Sequence, residues 1–286
     1  MDVITEIGSA TILPYQPQRA VGRLALAFKY DEHSRRTRIE RFYQEGCLRS
    51  RLPRAAESSI CDAVLMNISG GVAGGDELTT SITVGGRASA CVAGQAAERV
   101  YKALGAEPAR VKTAISVDQG GTLEYLPQET ILFDGFALDR SLEIELAEDA
   151  RFLGVESIVF GRLAMGENMR DGMLRDRISL HRNGKLLLCD MTRLDGDLAH
   201  LLGRNALANG AAAMATIIYA APDAAAQLEV VRAALRNMLC DAGASVFEGM
   251  LVARILAPSS HALRTAIIVT LRLCRNGRPM PRVWQD

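Results

Sequence analysis

Three segments of the chain repeat one plan: an alternating strand, a small polar turn, a second apolar strand, then a polar residue. They read SITV-GGR-ASACVAG up to Gln95, AISV-DQGG-TLEYLP up to Gln128, and EIEL-AED-ARFLGV up to Glu156. Val84 and Gln95 are spaced as Val117 and Gln128 are, and the third unit follows at a slightly shorter interval. A unit this short cannot bury its apolar face alone, so such units stack on one another. The pattern predicts a mainly β chain, built as a β-helix-like stack of strand units with a few helices; a β-sandwich is the competing arrangement. In a stack, Gln95, Gln128 and Glu156 would stand on one side of the molecule as a polar lining. Equally, each could cap its own turn.

Just ahead of the repeat lies the segment VLMNISGGVAGGDELTTSITV. An apolar strand ends at Asn67, then Gly70, Gly71, Gly74 and Gly75 come within six positions, and Asp76 closes the loop. Glycine is favoured where φ is positive or another chain segment comes close, so these four describe a tight, structural loop. It is not a phosphate cradle. A P-loop needs a lysine and a hydroxyl after its last glycine, and Asp76 and Glu77 stand there instead. A dinucleotide fingerprint opens a helix, whereas the β-branched TTSITV that follows reads as a strand.

Composition narrows the function classes. The formal net charge is zero, from 33 basic and 33 acidic residues, which leaves no electrostatic footprint for nucleic acid or an anionic membrane. The longest apolar run, Ala211 to Ala221, is too short to span a bilayer. The N-terminus carries Asp2 and Glu6 and lacks the basic and apolar regions of a signal peptide. Six cysteines are scattered without a C-x-x-C pair. A reduced, cytoplasmic protein is the expectation.

Along the rest of the chain, Gly22–Tyr30 and Thr37–Gln44 read as a hairpin, and Cys47–Leu52 as a strand ended by Pro53. Arg54–Ser59 reads as a polar surface loop. AAERVYKALG, after Gln95, reads as a short helix. Asn183-Gly184 joins Leu174–His181 to Lys185–Met191 as a hairpin. Beyond Arg193 the pattern becomes mixed. Met214–Ala221 is a strand. Pro222-Asp223 opens an amphipathic helix running to Leu239, with Leu228, Val231, Leu235 and Leu239 on its apolar face. Gly243–Phe247 and Met250–Leu256 are strands, and Pro258-Ser259 opens a second helix to about Cys274. The expected division is therefore a β-helical core over residues 1–193 and a mixed α/β C-terminal part over 194–286, packed together as one unit. The only tryptophan, Trp284, sits in a Pro-rich tail, either docked on its own domain or presented to a partner.

No catalytic or metal motif emerges from the residues alone. His33, His181, His200 and His261 fall in no zinc-binding spacing, and no G-x-S-x-G occurs. A β-helix enzyme acting on carbohydrate would need paired carboxylates in an aromatic-lined groove. Aromatics are only 5% of the chain, which counts against it. An assembly factor for some metalloenzyme also fits.

The runs LMNISGGVAGGDELTTSITVG, GQAAERVYKA, LEYLPQETILFDGF and FGRLAMGE, with the ending PRVWQ, together resemble the urease accessory protein D family over nearly the whole chain. The resemblance implies a β-helical fold and a non-catalytic chaperone. Such a chaperone joins the accessory proteins F and G on apo-urease, G being the GTPase, and helps load nickel. It implies no tightly bound cofactor, only Ni²⁺ in transit through a water-filled tunnel. Carried onto this chain, the acidic residue upstream of the G-R-x-x-x-G-E motif is Glu156. The one closing the second strand of the next hairpin is Asp190. Asp76 and Glu98 are added as further conduit residues. Carboxylates spaced along a path bind a divalent cation weakly and exchange it quickly, as a conduit requires.

Overall fold

The computed structural model describes residues 18–53, 60–162, 166–167 and 169–285. The expected surface loop Arg54–Ser59 lies outside them. The chain begins β1 (Val21–Asp31), β2 (Arg36–Gly46), β3 (Leu48–Arg51), β4 (Cys61–Asn67), β5 (Glu77–Val84), β6 (Ser89–Gly94), β7 (Glu98–Val100), β8 (Ala109–Val117) and β9 (Thr122–Leu126). It continues with β10 (Thr130–Leu132), β11 (Phe136–Leu146), β12 (Arg151–Phe160), β13 (Asp171–Arg182), β14 (Lys185–Asp197) and α1 (Leu198–Gly203). The last elements are β15 (Ala213–Ala220), α2 (Ala224–Arg236), β16 (Asp241–Phe247), β17 (Met250–Ala257) and α3 (Ser260–Cys274).

The three repeat units are three stacked rungs. Their first strands, β5, β8 and β11, pair in parallel, with Val84, Val117 and Leu146 in register. Their second strands, β6, β9 and β12, pair in parallel in a facing sheet, with Ser89, Thr122 and Arg151 in register. The β-solenoid-like stack is thus built as the sequence pattern implies. The first sheet has the order β14-β13-β11-β8-β5-β1-β2, and the second runs β16-β17-β15-β12-β9-β6-β4-β3, with β7 and β10 attached beside β12.

Strand alternation places one residue set between the sheets. In β5 and β8 these include Leu78, Ile82 and Val84, and Ile115 and Val117; in β11 they include Phe136, Leu138, Leu142, Ile144 and Leu146. Burying a side chain of this size contributes roughly 1.5–3 kcal/mol each, offset by lost conformational entropy. The other face of the second sheet carries a separate core, where Leu126, Val155 and Ile217 meet α2, α3 and the C-terminal tail. The molecule is therefore layered: sheet, core, sheet, second core, helices. β15 pairs with β12, so the C-terminal strands extend the sheet of the repeat.

Two local expectations fail for physical reasons. AAERVYKALG forms β7 rather than a helix. Val72 donates to the Arg99 carbonyl and Tyr101 donates back to the Val72 carbonyl, while β7 pairs with β10. Tertiary pairing overrides the helix propensity of Ala and Glu here. The α2 helix stops at Arg236, and Leu239, expected on its apolar face, is 75% exposed. The hairpin turn is as expected, with positive φ at both Asn183 and Gly184. Trp284 is docked on its own domain: it is buried, and its indole N–H donates to the Leu126 carbonyl at 3.0 Å.

Candidate functional site: a polar layer between the sheets

Three strands break their own apolar alternation at one level of the inter-sheet core. In β11 the inward series Leu138, Arg140, Leu142 carries an arginine. In β13 the series Leu174, Asp176, Ile178 carries an aspartate, and in β14 Leu188 and Leu194 bracket another, Asp190. From the facing sheet, β12 contributes Glu156 between Gly154 and Ile158, and β15 places Thr216 directly opposite Glu156. Arg140, Glu156, Asp176, Asp190 and Thr216 are each buried. A buried charge persists only when it is paired, and each of these charges is. Arg140 Nε donates to Asp176 Oδ1 at 2.9 Å and its Nη2 to Oδ2 at 2.6 Å. Its Nη1 reaches Glu156 Oε2 at 2.7 Å and Thr130 Oγ1 at 3.0 Å. Asp190 is ion-paired with Arg254 at 2.8 Å, and the Arg254 side chain is more than half exposed.

Two cavities meet at this cluster. The larger, about 220 Å³, reaches the surface at Asn67, Gly70, Gly71 and Gln95–Glu98 and runs inward past Thr113, Tyr125 and Thr130. The smaller, about 10 Å³, is lined by Asp176, Asp190, Thr192 and Thr216 and has room for roughly one water. Arg140 and Glu156 border both. Polar groups thus run from the Gly-rich loop, through the Arg140 cluster, to the exposed Arg254.

Electrostatics follow from burial. Desolvation pushes the Glu156 carboxyl up to about 7, with Asp176 adding repulsion and Arg140 opposing both. For Arg140, burial disfavours the charge, but Asp176 and Glu156 outweigh it and hold the guanidinium above its ordinary value. Glu98, at the mouth of the larger cavity, is also raised, chiefly by burial, although Asn67 Nδ2 donates to it at 3.2 Å.

The other expected residues separate. Gln95, Gln128, Glu98 and Glu156 all border the larger cavity, but they do not form one row. Glu156 points between the sheets. Gln128 points the other way, donating to the Val283 carbonyl at 2.7 Å and accepting from Arg264 at 2.7 Å. The cause is an extra residue. Tyr125 lies opposite Gly154 and Thr130 opposite Ile158, so the second rung fits one more residue than the third between the same two points. A one-residue slip reverses a side chain's face. Asp76 lines neither of the two cavities. Its carboxylate accepts from the backbone N–H of Ala20 and of Ala73, each at 2.8 Å, and closes the glycine loop onto β1.

Within that loop, Gly71 has φ +142°, and a Cβ there would lie 2.4 Å from the Tyr101 ring. A Cβ on Gly74 would meet the Glu107 carbonyl at 2.7 Å. The loop is tight because strand and aromatic neighbours press on it; Tyr101 also donates its hydroxyl to the Gly70 carbonyl at 2.9 Å. Gly70 and Gly75 have positive φ.

Sequence reading missed Arg140, Asp176 and Arg254. A charged residue in the apolar phase of an alternating strand was the available signal. Among the described residues, no group of three His, Cys, Asp or Glu side chains is placed to hold a metal ion. None of their helices is long and apolar enough to cross a membrane.

Residues 20–285 match the family described as UreD urease accessory protein. A urease accessory protein UreD of Rhizobium leguminosarum bv. viciae is 42% identical over 269 residues, covering 94% of this chain and 96% of the relative. One from Sinorhizobium medicae is 43% identical over 272 residues, with 94% and 96% covered. Another, from Agrobacterium fabrum, is 40% identical over 271 residues, with 95% and 93% covered.

Proposed function

The chain belongs to the UreD urease accessory protein family, and from that premise we propose that it serves urease maturation as a non-catalytic scaffold and Ni²⁺ conduit. It joins the accessory proteins F and G to apo-urease, and the ion passes through the polar layer between its sheets. The observation that carries this reading is the buried band itself. Glu156 and Asp190 border one cavity in an otherwise apolar core, where charge without a task is disfavoured. Glu98 gives the ion an oxygen ligand at one mouth, and Asp190 does so near the other. Spaced carboxylates lower the barrier for a cation leaving water without trapping it, as acidic rings do in cation pores. Asp76 takes a structural part instead, holding the glycine loop closed. Catalysis is assigned to none of these residues, and the proposed site of action is the cytoplasm.

The test is reconstitution. Apo-urease, F, G and this chain are mixed with Ni²⁺ and GTP, and urease activity is compared with a mixture lacking the chain. The reading expects co-elution of the chain with F and urease, and activation that depends on it. Equal activation without the chain refutes the reading.

A further inference from the structure

The boundary that the two cavities share is lined by a cation that belongs to the protein, Arg140. Arg140 and Glu156 are the residues the two cavities share, and the Arg140 side chain is only 10% exposed. Its guanidinium holds both Asp176 oxygens and one Glu156 oxygen at 2.6–2.9 Å. Any ion moving from the larger cavity to Asp190 must pass this group. Beyond it, space for roughly one water excludes an ion with its full hydration shell. A bare divalent cation beside a guanidinium in this low-dielectric setting would be strongly repelled.

We propose that Arg140 is the gate of the conduit: at rest its guanidinium occupies the oxygens that a divalent cation takes over, and transit requires the side chain to swing into the larger cavity. This rests on the conduit reading above and extends it with a mechanism of passage. The larger cavity has the room, and Arg140 already borders it. One cation leaves the carboxylate oxygens as another arrives, so the carboxylates are never left without a cation. When the ion moves on to Asp190, Arg140 returns. The returning guanidinium competes for the oxygens and drives the metal onward, which explains how buried carboxylates can serve a conduit without retaining the metal. Arg254, on the far carboxylate, is placed to do the same at the exit.

The gate makes a forecast that a purely structural ion pair does not. In Arg140→Gln the competitor is gone, and the carboxylates keep the ion. The full chain is incubated with Co²⁺, a visible-absorbing probe of the same charge, then desalted, and cobalt per chain is measured. The wild type should retain almost none. Arg140→Gln should retain roughly one ion per chain, and adding Glu156→Gln should abolish that retention. Retention by Arg140→Gln no greater than wild type overturns the gate, as does undiminished retention after Glu156→Gln is added. Should Arg140→Gln not fold, Arg140→Lys tests the same claim. It keeps a cation but loses the bidentate grip, so its retention should exceed wild type, and retention equal to wild type overturns the gate. The two readings fail separately. Cobalt retention as forecast, with normal nickel delivery by variants of Glu156 and Asp190, would refute the conduit and leave Arg140 only as a competitor for a cation-binding carboxylate pair. No retention, with impaired delivery by those variants, would refute only the gate.

Discussion

Replacing Glu156 by Gln removes one negative charge from the buried band while keeping its shape. Arg140 retains both bonds to Asp176 and its bond to Thr130, and the Gln carbonyl can accept from Nη1. Truncating one partner of a buried pair usually costs about 3–5 kcal/mol because a charge is stranded. Here the guanidinium keeps its principal partner, so the loss should be nearer 1 kcal/mol, the worth of a typical hydrogen bond. The pH dependence is more telling. Burial raises the folded carboxyl from 4.5 to about 7. A raised folded value means that the stability linked to this group is fully present below about pH 4.5 and is lost as pH rises through 7. Each tenfold change in proton affinity corresponds to about 1.4 kcal/mol. The wild type should therefore lose roughly 1–3 kcal/mol across that window through Glu156, and the variant should lose none of it. Urea unfolding of both proteins at about pH 5 and pH 7.5 reads this directly. At the lower pH, where the Glu156 carboxyl is protonated and Gln nearly matches it, the two should agree to within about 1 kcal/mol, and at the higher pH the variant should be the more stable. A gap that stays constant within about 0.5 kcal/mol would show that Glu156 does not titrate as its burial demands.

Two other substitutions separate framework from conduit. Asp76→Ala removes the acceptor of two backbone N–H groups and should cost about 1–3 kcal/mol in urea unfolding, with nickel delivery by the remaining folded protein unchanged. Trp284→Ala empties a buried aromatic site beneath α3 and strips the Leu126 carbonyl of its donor. It should cost about 3–5 kcal/mol, seen as a lower urea midpoint, and a midpoint equal to wild type would refute the docking of the tail.

Much of this architecture was legible because short strands with period-two alternation and small turns admit few arrangements. The rungs, the Asn183-Gly184 hairpin and the helix opened by Ser259 were all read locally, and Ser259 does cap α3, accepting from the Ala262 N–H. What escaped was whatever depended on neighbours. β7 is a strand because Val72 and β10 pair with it, and no local propensity reports that. Glu156 and Gln128 looked equivalent until one extra residue in the second rung set them on opposite faces. Arg140 went unnoticed because a single charge in an apolar series reads as noise. It becomes a site only when Asp176, Glu156 and the two cavities converge on it. Asp190 and Glu156 entered through the family resemblance rather than from spacing, and the structure places them on one cavity.

The most direct test is the nickel content of urease matured by a chain carrying both Glu156→Gln and Asp190→Asn. These substitutions preserve shape and remove the two carboxylates from the path, so the complex with F and urease should be recovered in wild-type amount. If the band conducts the metal, nickel per urease site, measured by elemental analysis after a fixed activation time, should fall well below the wild-type value. Full nickel occupancy with this double variant would contradict the account.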